Sequence, residues 1–100
     1  MERTLESIGV EIDEIDALFV RLLALRFRLA LEAGEIKRAA GLPIVRPAVE
    51  QARIAAVTKL AEAQGLPDDF VRELMEKIVF RCRTAQKLPP PTRTGWAACS

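Results

Sequence analysis

Arg26 and Lys37 are the residues with the clearest chemical potential, because both fall on the inner side of a long helical pattern, where an unpaired charge is costly. Lys37 follows Arg26 by eleven residues, which at about 3.6 residues per turn returns it to within roughly 20° of the same face. Between them on that face stand Ala30 and Ala33. Two long cationic side chains bracketing two of the smallest residues describe an electropositive hollow suited to a small anion. The same spacing allows a plainer arrangement, with Arg26 paired to a core carboxylate and Lys37 solvated at the surface. Glu50 shares a stripe with Ile54 and Val57 and points at least partly inward, although a salt bridge with Arg46 or Arg53 would serve it as well. Gln86, one turn beyond Cys82 on a third apolar face, has an amide that can donate to a ligand oxygen or meet solvent. Arg72, Arg81 and Arg83 read as surface residues.

What the chain lacks narrows the chemistry further. It has no histidine and no tyrosine, and its only serines are Ser7 and Ser100, so the usual general bases and the Ser-His and Cys-His nucleophilic pairs are missing. A site made from Arg, Lys, Glu, Asp and Gln suits binding, orientation and electrostatic stabilisation better than covalent catalysis. No glycine-rich phosphate loop is evident, and Cys82 and Cys99, far apart in sequence with Cys99 near the end of the chain, suggest neither a zinc motif nor a disulfide framework. Free thiols, no metal and no cofactor are expected. With 15 Lys and Arg against 14 Asp and Glu, the net charge of +1 offers no field for nucleic acid or an anionic membrane. The opening Met1-Glu2-Arg3-Thr4-Leu5-Glu6 lacks the apolar run of a signal peptide, and no later stretch is long and uncharged enough to span a bilayer. These features predict a soluble, cytoplasmic protein.

Three helices must position these side chains. From Leu5 to about Ala40 there is no proline, and Ile8, Ile12, Ile15, Phe19, Leu22, Arg26, Leu29, Ala33 and Ile36 form one seam. At about 1.5 Å per residue such a helix is roughly 50 Å long, against a radius of gyration of about 13 Å for a compact domain of this size. A second copy of the chain is the economical cover for that seam, which predicts a homodimer. Gly41-Leu42-Pro43 stops the first helix, and a second should run from Pro47 through Val49, Ile54, Val57 and Leu60 to Gly65. Pro67, Asp68 and Asp69 then open a third, whose inner face is Phe70, Val71, Leu74, Met75, Ile78, Val79, Cys82 and Gln86. The expected organisation is an all-α helical domain over residues 1–88, with a proline-rich, disordered tail over 89–100 that carries Trp96.

Taken in order, Glu11-Ile12-Asp13-Glu14-Ile15-Asp16, Leu22-Leu23-Ala24-Leu25-Arg26, Glu32-Ala33-Gly34-Glu35-Ile36-Lys37, Gly41-Leu42-Pro43-Ile44 and Gly65-Leu66 with Phe70 resemble the all-helical, AroQ-class (type II) chorismate mutase family. The resemblance covers about four fifths of the chain, from Leu5 to Gln86. It implies an intertwined homodimer of three-helix chains and a cofactor-free enzyme of the shikimate route to aromatic amino acids. Such an enzyme holds chorismate in a compact pseudo-diaxial shape and converts it to prephenate by a [3,3] rearrangement. By position, Arg26 would bind a substrate carboxylate, and Lys37 and Gln86 would stabilise the ether oxygen as its bond to the ring breaks. Glu50 would accept from the ring hydroxyl, and Arg46 and Cys82 stand at further substrate-binding positions.

Departures from the family pattern leave alternatives open. Gly9 stands where an arginine reaching into the partner's site is usual, Val49 where another arginine is common, and Arg46 where an aspartate is frequent. Arg46 or Arg53 could supply the lost charge from a neighbouring turn. Fewer carboxylate clamps are consistent with a weak mutase or with one completed by an activating partner enzyme. They are also consistent with a related substrate, as in isochorismate pyruvate lyase or an aminodeoxychorismate mutase, and with a non-catalytic dimer. Glu50 favours the chorismate pattern among these.

Overall fold

The computed structural model describes residues 2–87 and consists, among these, of three helices with no strand: α1, Leu5–Ala40; α2, Pro47–Ala63; and α3, Asp68–Lys87. The expected tail, with Trp96 and Cys99, lies outside the described residues. Among the described residues no helix is long and apolar enough to cross a membrane.

Local chemistry sets each boundary. Thr4 and Ser7 bond reciprocally at the start of α1: the Thr4 amide donates to Ser7 Oγ and the Ser7 amide to Thr4 Oγ1, both at 3.0 Å, which satisfies otherwise orphaned donors. At the other end Gly41 takes φ 68°, and the Leu42 amide reaches back to the Lys37 carbonyl at 2.8 Å. Helix α2 ends in the same way, with Gly65 at φ 75° and the Leu66 amide on the Ala61 carbonyl at 2.9 Å. Both glycines occupy left-handed backbone that a side chain would strain. Pro47 fills the first turn of α2, and Asp68 and Asp69 complement the positive end of α3.

The chain separates into two compact units, with the division inside α1 at Leu29 and Ala30. In the first unit the expected seam is not covered: Ile12, Ile15, Phe19, Leu22 and Leu29 are all exposed in the single chain. The second unit holds the end of α1 and the packed pair α2 and α3. Its core is Ile54 and Ala61 of α2 with Val71, Val79 and Cys82 of α3. Thr58 is buried with them, its hydroxyl donating to the Ile54 carbonyl at 2.8 Å.

The buried stripe of α2 therefore runs through Ile54, Thr58 and Ala61, whereas Leu60, expected inside, is 67% exposed. Six residues beyond Ile54, Leu60 falls about a third of a turn off that line. Phe70, at the first turn of α3, is also exposed, while Val71, Val79, Cys82 and Gln86 take the inner face. Ile36 likewise points outward on α1, and Val49 is partly exposed.

Candidate active site

Within the second unit Lys37 and Gln86 meet. The Lys37 ammonium donates to Gln86 Oε1 at 3.1 Å and to the Ile44 carbonyl at 3.1 Å, which ties the end of α1 to α3 and to the loop after Gly41. Gln86 is buried, and its Nε2 donates to the Ala30 carbonyl at 2.8 Å. An ammonium has three N–H donors and a primary amide two, so each of these groups keeps one donor beyond these bonds. Two donors left over in one half-buried place are chemically suited to an anionic or partly charged oxygen.

The backbone is shaped for this meeting. Gly34, the buried glycine of α1, approaches so closely that a Cβ built on it would stand 3.1 Å from both Cβ and Cγ of Gln86. Arg38 donates to the Gln86 backbone carbonyl, where the negative end of the α3 dipole favours a cation.

Glu50 is half-buried on the same stripe as Ile54, and its partner is neither Arg46 nor Arg53. Arg83 of α3 donates to Glu50 Oε1 at 3.1 Å, with side-chain exposures of 29% for Arg83 and 17% for Glu50. The reading of Arg83 as a plain surface residue is thus corrected. Its guanidinium also lies over the Phe80 ring, 5.3 Å from the centroid. Local sequence rules could not find this pair because its members are 33 residues apart. Cys82 is buried one turn before Gln86. Arg46 is exposed at the N-terminal boundary of α2, where its side chain makes no capping bond. Arg26 belongs to the first unit, half-buried on α1. Among the described residues no group of three or more metal-ligating side chains is present.

Comparison with known proteins agrees with this architecture. The chain matches the model of the chorismate mutase type II family over residues 8–87. It is 34% identical over 86 residues to the T-protein of Enterobacter agglomerans, covering 86% of this chain and 23% of that one. The bifunctional chorismate mutase/prephenate dehydratase of Aquifex aeolicus is 34% identical, over 83% of this chain and 24% of its own length. The chorismate mutase of Methanocaldococcus jannaschii is 29% identical, with 87% of this chain and 88% of that protein covered. No solved structure matches the chain significantly. The protein belongs to the chorismate mutase type II family, whose helical fold it shares. It spans less than a quarter of the length of the T-proteins it matches and most of the length of the archaeal mutase.

Proposed function

We propose that the chain is a chorismate mutase, converting chorismate to prephenate by a cofactor-free [3,3] rearrangement on the route to aromatic amino acids. The observation that carries this reading is the Lys37–Gln86 hydrogen bond, formed by the two residues that would serve the breaking ether bond. As that bond lengthens, negative charge grows on the ether oxygen. The remaining donors of Lys37 and Gln86 are held in advance and act where charge develops rather than where it already rests, so they favour the transition state over the substrate. Arg26 would hold a carboxylate, while Arg46 and Cys82 would border the substrate. Glu50 would accept from the ring hydroxyl with its remaining lone pairs, since only one contact is taken by Arg83.

The enzyme works in this proposal as a soluble, cytoplasmic homodimer. The exposed seam of α1 supports that state, because a single chain leaves Ile12, Ile15, Phe19 and Leu22 in water. A partner enzyme or fused domain that completes the site is compatible with the same chemistry, since the Aquifex relative is named as bifunctional.

The test is to incubate purified protein with chorismate, and in parallel with isochorismate, and to identify products chromatographically. Prephenate from chorismate is the expected outcome. Salicylate and pyruvate from isochorismate, with chorismate untouched, would transfer the protein to the lyase branch.

A further inference from the structure

Resting on the mutase reading, we infer that Arg83 is a substrate-binding residue, a guanidinium that holds one carboxylate of the substrate dianion beside Lys37 and Gln86. Its setting separates it from the other arginines of α3. Arg72 and Arg81 are exposed, whereas Arg83 is mostly covered, lies over Phe80 at 5.3 Å and reaches across to Glu50 of α2 at 3.1 Å. Holding one guanidinium from two sides restricts its rotamers, so less freedom remains to be lost when a ligand binds.

A guanidinium has five N–H donors, and Glu50 Oε1 takes one from Nη1. The remaining fork is of the kind that matches a carboxylate in a bidentate manner. Gln86 follows Arg83 by three residues on α3, which makes the two side chains neighbours on one helix surface, about 5–6 Å apart at Cβ. Gln86 in turn bonds Lys37 at 3.1 Å. The charges bonded into this cluster are Lys37, Arg38 and Arg83 against Glu50 alone, an excess of positive charge that an anion would complete. Val49, the residue before Glu50, carries no charge, and Arg46 and Arg53 are both exposed, whereas Arg83 is the arginine bonded to Glu50.

The experiment is steady-state kinetics with chorismate on the full chain, comparing the parent protein with Arg83→Ala, Arg83→Lys, Glu50→Gln and the double variant Arg83→Ala/Glu50→Gln. Arg83→Ala is expected to raise KM by about ten- to a hundredfold with a smaller fall in kcat, the size of a lost charged hydrogen bond. Arg83→Lys should recover part of that loss. The KM increase should persist when Glu50 is already Gln, because the carboxylate contact does not depend on the Glu50 charge. If Arg83→Ala adds nothing in the Glu50→Gln background, Arg83 serves only to hold Glu50, and the inference is overturned. An equal KM increase in Arg81→Ala, an exposed arginine two positions earlier, would reduce the effect to general charge and overturn it too. A parent protein that yields no prephenate removes the mutase reading itself and this inference with it. Melting curves by circular dichroism confirm that each variant is folded, and Arg83→Lys carries the comparison if Arg83→Ala is not.

Discussion

At the scale of single residues, the proposed function rests on donors fixed before the substrate arrives. Lys37 is held by the Ile44 carbonyl and by Gln86, each at 3.1 Å, so in the proposed reaction its ammonium would not need to reorganise as the ether bond breaks. Lys37→Ala should therefore lower kcat by about a hundred- to a thousandfold, with a lower melting temperature from the lost bonds to Ile44 and Gln86 but a chain still folded at assay temperature. A variant with parental kcat would show that this ammonium is not used. Gly34→Ala probes the same place through shape. The added methyl would stand 3.1 Å from Cβ and Cγ and 3.3 Å from the backbone Cα of Gln86, so α3 itself must give, and this crowding works against the roughly 1 kcal/mol by which alanine is the better helix former. The expected outcome is a clear fall in kcat with a melting temperature that does not rise. Unchanged kcat would mean that the position of Gln86 tolerates displacement.

At the scale of elements, the caps and stops explain why α1, α2 and α3 begin and end where they do, and a few soft positions remain for adjustment. Gly9 lies inside α1 with no heavy atom within 4 Å of an added Cβ, so Gly9→Ala should stabilise the chain by about 1 kcal/mol in thermal unfolding. A loss of stability there would indicate that another surface approaches Gly9 closely. Near the turn from α2 to α3, the Glu62 carboxyl is held above its ordinary 4.5 by a hydrogen bond with Asp68 and by that residue's charge. A raised value means that folding favours the protonated form, so this contribution is present at low pH and is lost as pH rises through the folded value. Glu62→Gln should thus melt above the parent at pH 7 and converge with it in acid. Equal melting temperatures at pH 7 would deny the strain between the two acids.

These elements were largely legible in the sequence because Pro47, Pro67 and the two Gly-Leu stops act locally. Gly41 and Gly65 both take the positive φ that such stops require. The phase of α2 was less legible. Leu60 is more apolar than Thr58 or Ala61, yet the latter two are buried, since Thr58 meets its polar need through the Ile54 carbonyl. Lys37 and Gln86 were visible as chemistry, whereas Arg83 was not, since its partner Glu50 lies on another helix and no periodic rule reaches that far. The close approach of Gly34 to Gln86 was equally hidden, because it depends on tertiary contact.

At the scale of the whole molecule, one chain has too little interior to stand alone comfortably. No large side chain is fully buried among the described residues, and the apolar seam of the first unit faces water. Sedimentation equilibrium should accordingly give about twice the 11.1 kDa chain mass, and Phe19→Glu should shift it toward one chain with lost helicity. A parent protein that sediments as a single folded chain would remove the dimer from the proposal. The central claim, however, is catalytic, and the most direct measurement is product formation from chorismate by the purified chain, read beside Lys37→Ala. Prephenate that accumulates with the parent and is nearly abolished by the substitution is the predicted result. Chorismate that persists unchanged with the folded parent, at enzyme concentrations approaching those of substrate, would contradict the claim.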